Sequence, residues 1–108
     1  MKKNINFDEK IAKLQSFVNS KEKEYEVLVE RHKQNNEVFW SEEGRALDDA
    51  DRGLLKREMD ITEQLLQTML DRIGNAKEDI KKLDFLKKKA AEANATIASN
   101  MQANNPAK

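Results

Sequence analysis

The stretch Phe39-Trp40-Ser41-Glu42-Glu43-Gly44 decides the reading of this 108-residue chain, because one long helical pattern stops there and another starts. Ser41 suits a helix N-cap, since its hydroxyl can accept a free amide of the turn that follows. Glu42 and Glu43 then fall in a first helical turn, where the helix dipole favours negative charge, and Asp48, Asp49 and Asp51 add to it. Gly44 and Gly53 lower helix propensity locally. Residues 40–45 therefore read as the turn of a hairpin.

Upstream of the turn, Phe7, Ile11, Leu14, Val18, Lys21, Tyr25, Leu28, His32, Asn35 and Phe39 fall at alternating steps of four and three, and seven of the ten are apolar. This heptad spacing predicts a helix over 5–39 with a coiled-coil-like face, roughly 50 Å long at about 1.5 Å per residue. Downstream, Leu47, Ala50, Leu54, Ile61, Leu65, Met69, Ile73, Ala76, Ile80, Leu83, Ala90 and Ile97 form a second stripe and predict a helix over 46–99. Between Ile61 and Ile73 the steps are all fours, which would relax left-handed supercoiling there. Gly74-Asn75 is the one candidate interruption, with Glu78 placed to complete a capping box, and a break there would give three helices. The stripe stays in phase across the pair, which favours a continuous helix.

The expected fold is all-α: an antiparallel two-helix hairpin with the longer helix second, flexible residues 1–4, and a disordered, Asn-rich tail over 100–108. With Phe39 facing Leu47, Phe7 would lie opposite residue 79. Ile80, Leu83, Phe85, Leu86, Ile97 and Met101 would then project past the hairpin towards a second chain.

Composition narrows the function. Lys plus Arg and Asp plus Glu each number 20, so the net charge is zero, which argues against a nucleic-acid backbone as the main partner. Charged residues make up 37% of the chain with only three glycines and one proline, a balance suited to solvated helices around a narrow apolar stripe. The absence of cysteine excludes disulfides and thiolate chemistry. No apolar run reaches the roughly 18 residues of a membrane span, and no signal-peptide core follows Met1-Lys2-Lys3. A cytoplasmic protein without a membrane partner is expected, with export lacking a cleaved signal peptide left open.

Candidate chemistry is sparse. His32, the sole histidine, lacks companions for a metal site and reads as a polar seam residue that fixes register, as does Asn35. Lys21 is expected to snorkel to water. Glu9 and Lys13, Glu78 and Lys82, and Asp84 and Lys88 have the spacing of helix-surface ion pairs rather than of a catalytic dyad. No nucleophile elbow, phosphate loop or dinucleotide fingerprint occurs. No enzyme, cofactor or metal is expected. Residues 41–74 carry net charge minus four and residues 75–108 plus three, with Lys81, Lys82, Lys87, Lys88 and Lys89 around Leu83, Phe85 and Leu86. That polarity reads as a solvated face and is compatible with antiparallel self-association. Phe39-Trp40 at the turn either plugs the bundle end or anchors a partner. The expected partner is another helical chain, of the same or another protein, bound through Phe7, Ile11, Leu14, Leu28, Phe39, Trp40, Leu65, Ile73, Ile80 and Leu83.

Two amphipathic helices with a central tryptophan closely followed by glycine make the chain resemble the WXG-type proteins of type VII secretion. Here the motif is Trp40-Ser41-Glu42-Glu43-Gly44, with three intervening residues where the family has one. The family's export signal, a tyrosine followed four positions later by an acid, is absent: the only tyrosine is Tyr25, and position 29 is Val29. The chain is also similar to the small helical partners of LXG toxins. That resemblance implies a non-enzymatic protein that binds the toxin's N-terminal helical domain and helps present it for export. Type III secretion chaperones and cytoplasmic coiled-coil adaptors look alike at this level.

Overall fold

The computed structural model describes residues 6–103, with side chains described over 6–95. It contains α1 (Phe7–Trp40), the single turn α2 (Glu42–Arg45) and α3 (Asp49–Ala103), and no strand among the described residues. The two long helices pack antiparallel along their length. The molecule measures 93 × 27 × 14 Å, so it is a rod one helix thick.

Each start has a local cause. The Asn6 side-chain oxygen accepts from the Glu9 amide at 2.9 Å and caps α1, with Asp8 and Glu9 in its first turn. Ser41 ends α1 and caps α2: its hydroxyl donates to the Val38 carbonyl at 2.6 Å and accepts from the Gly44 amide at 3.1 Å. The long second helix has its own cap. Asp48 Oδ1 accepts from the Asp51 amide at 2.8 Å, and the Asp48 carbonyl accepts from the Arg52 amide at 2.9 Å. The turn expected over 40–45 is thus a helical turn, and α3 begins at Asp49 rather than 46 because Asp48 holds the capping position. Gly44 is buried, and a Cβ there would run into the Val38 carbonyl oxygen, so the tight return of the chain onto α1 requires glycine.

The later start of α3 changes the register. Asp8 pairs with Lys87, His32 Nε2 lies 3.2 Å from Glu63 Oε1, and Lys77 Nζ lies 3.5 Å from Glu22 Oε2. Phe7 therefore sits beside the turn that holds Lys87, not residue 79. Ile80 and Leu83 lie within the hairpin instead of projecting beyond it. Ile80 packs with Leu14, Phe17 and Tyr25 against the buried Val18, Ile73 and Ala76.

All ten seam positions read on the first helix are buried or half-buried. On α3 the seam is Arg52, Leu55, Met59, Thr62, Leu66, Met69, Ile73, Ala76, Ile80 and Leu83, each at least half-buried and an unbroken alternation of threes and fours. The expected run of fours through Ile61 and Leu65 is absent, because those side chains face solvent at 54% and 47% exposure. Leu47, Ala50 and Leu54 are exposed too. Thr62 takes the seam position that Ile61 was expected to hold, and its hydroxyl donates to the Glu58 carbonyl at 2.7 Å, which satisfies it in the core. α3 passes Gly74-Asn75 without a break. It is described as helix through Ala103, and 1–5 and 104–108 lie outside the described residues.

Candidate interaction surface

Eight of the ten partner-binding candidates are occupied inside the hairpin: Phe7, Ile11, Leu14, Leu28, Phe39, Ile73, Ile80 and Leu83 are buried or half-buried. Trp40 and Leu65 face solvent. At the turn the two aromatics divide the work. Phe39 is buried, and Trp40 meets it edge-on with ring centroids 5.0 Å apart while remaining 57% exposed. Arg52 closes this end, with Nη1 donating to the Phe39 and Gly44 carbonyls at 2.9 Å each.

The long edges of the rod differ. Residues seven apart share a side in a heptad pairing. One edge carries Asp8, Glu22, Glu63 and Lys77, and all the ion pairs joining α1 to α3 among the described residues involve it. The opposite edge has no such pair among those residues and presents Val27, Val38, Leu54, Ile61 and Leu65, at 47–69% exposure. Between α1 and α3 on that edge lies a groove of about 490 Å³, floored by Leu28, Leu65 and Met69 with Val27 beside them. Its rim carries Lys21, Lys23, Arg31 and Arg72 against the single acid Glu24. Sequence reasoning found the α3 part of this surface, Leu54, Ile61 and Leu65, but assigned it to the internal seam. Val27 and Val38 escaped notice because they lie off the α1 heptad; their shared side with Arg31 is the signal that could have found them.

Comparison with family models, curated proteins and solved structures finds no match. The surface itself therefore carries the functional argument.

The seam also has a polar layer near the turn. His32 Nδ1 and Asn35 Nδ2 are buried there without a hydrogen-bond partner. Lys21 is half-buried, its ammonium 2.9 Å from Glu24 and 5.8 Å from the Phe17 ring centre, so the expected snorkelling ends on a neighbouring carboxylate. The surface pairs Glu9–Lys13 and Asp84–Lys88 form at 3.3 and 3.1 Å. No cluster of three or more His, Asp or Glu side chains suited to a metal occurs among the described residues. No helix there is long and apolar enough to cross a membrane. Further along α3, Lys81 and Lys82 flank the exposed Phe85 and Leu86.

Proposed function

We propose that the protein is a non-enzymatic binding module whose clients are helical chains, docked on the apolar edge formed by α1 and α3. The observation that supports this is the exposed row of Val27, Ile61 and Leu65 beside a groove already floored by Leu28 and Met69. A row of that kind on a monomer marks an interaction site. A two-helix surface offers a third helix the same ridges and grooves that join α1 to α3. Burying one such side chain contributes roughly 1.5–3 kcal/mol before ordering costs.

The resemblance to LXG-toxin partners names a specific client of this kind, the helical N-terminal domain of an LXG toxin. Co-expression with that domain is the test. The pair should co-purify, Leu65→Asp should abolish the complex, and Lys88→Ala should leave it intact. Failure of the wild-type chain to bind, or indifference to Leu65→Asp, overturns the reading.

A further inference from the structure

The groove between α1 and α3 has a charge that its surroundings do not share. The chain as a whole is neutral, yet the rim holds Lys21, Lys23, Arg31 and Arg72 against one acid. Glu24, the one acid of the rim, is engaged by Lys21 at 2.9 Å. Lys23, Arg31 and Arg72 form no ion pair with any described residue. Arg72 instead rests 5.1 Å from the centre of the Phe17 ring, which fixes its guanidinium at one end of the groove. Arg31 stands just over two turns from Lys23 along α1, so the cations span the length of the apolar floor rather than one point of it.

An apolar floor between cationic walls matches a particular kind of occupant. We propose that this groove binds an amphipathic helix whose apolar stripe is flanked by carboxylates, with Arg31 and Arg72 pairing to acids on its two sides. The inference rests on the reading that this edge takes helices, and adds the chemistry of the helix it takes. Leu28, Leu65 and Met69 receive the stripe, and Val27 closes over it. The wall charges then select among helices of equal apolarity, since like charge at the rim disfavours a basic helix.

Two synthetic helical peptides with the same leucine stripe, one flanked by glutamates and one by lysines, separate the possibilities when titrated against the full chain. The glutamate peptide should bind at least about tenfold more tightly, and the preference should shrink with added salt. Arg31→Glu with Arg72→Glu should reverse the preference while helicity by circular dichroism stays unchanged, since both side chains stand on the surface. Equal binding of the two peptides overturns the charge inference and leaves helix binding in place. Binding of neither peptide overturns both. A chain that self-associates through Leu65 and excludes both peptides assigns the groove to a second copy and also overturns the proposal.

Discussion

The guanidinium of Arg52 stands 3.8 Å from the centre of the Phe39 ring and donates to the carbonyl of the same residue at 2.9 Å. One side chain at the start of α3 thereby holds the last turn of α1 by its face and by its backbone. A second bond from the same nitrogen to the Gly44 carbonyl adds the connector to the grip. The Phe39 carbonyl at the end of α1 is a group that a helix terminus leaves without an intrahelical partner, the Gly44 carbonyl also accepts from the Leu47 amide at 3.3 Å, and a charged donor serves both well.

Arg52→Ala should destabilise the protein by about 2–3 kcal/mol, from charged hydrogen bonds worth about 1.5–3 kcal/mol each, partly replaced by water, and a cation–π contact. Arg52→Lys should recover less than half of the loss, because an ammonium cannot hold two carbonyls and a ring in one plane. Thermal unfolding followed by circular dichroism measures both. A stability unchanged by Arg52→Ala would show that the turn holds without this residue.

The three glycines should respond to alanine in opposite directions. At Gly44 the added methyl meets the Val38 carbonyl oxygen and lies 2.9 Å from that of Phe39, both backbone atoms that cannot step aside. At Gly53 and Gly74 it meets nothing within 4 Å, inside a continuous helix. Gly44→Ala should cost about 2 kcal/mol or more, in the range of overpacking a tight site. Gly53→Ala and Gly74→Ala should each gain about 0.5–1 kcal/mol from helix propensity. Chemical denaturation midpoints of the three variants supply the comparison.

Asn35 interrupts the seam with a buried amide nitrogen that bonds to nothing. Such a group costs about 1–3 kcal/mol. Asn35→Leu should raise stability by about 1 kcal/mol or more, read from the same denaturation curves. It should also make the hairpin less particular about register, since polar seam residues restrict how two helices slide. A destabilised Asn35→Leu protein would mean that the amide contributes more than its unpaired atom suggests.

The Asp8–Lys87 pair joins the start of α1 to α3, and the hydrogen bond and charge of Asp8 raise the Lys87 pKa above the ordinary value of 10.5. A lysine raised in the folded state contributes stability that is fully present below its ordinary pKa and is lost as pH rises through the raised value. Amides in the first turns of α1 should therefore lose protection in strongly alkaline solution before those near Val18. Lys87→Met should show that early fraying already at neutral pH and no further alkaline change. Hydrogen exchange resolved by residue is the measurement.

The α1 seam was legible because seven of its ten positions are apolar and the spacing never slips. The first half of α3 misled for the opposite reason: its seam contains Arg52 and Thr62, while Leu54, Ile61 and Leu65 outside it are greasier. Periodicity alone follows hydrophobicity and so selected the wrong face. Asp48 was visible as a charge near a helix start, but its role as the cap, which sets where α3 begins and hence the register, needed the backbone. Ile80 packs inside the hairpin, so an Ile80→Asp change would test the hairpin and not its client. Leu66→Ala and Leu65→Ala make the distinction experimental. The first should cost about 1–2 kcal/mol of stability, less than a fully buried leucine, and the second almost none.

A body only 14 Å thick has no middle layer. Cohesion runs along it like the teeth of a zip, each rung held only by the rungs above and below. Loosening should therefore travel inward from the open end near Asp8 and Lys87, and the clasp made by Arg52 should be the last to let go. A visiting helix laid along the edge would span many rungs at once, turning a ladder that opens piecemeal into one that must open together.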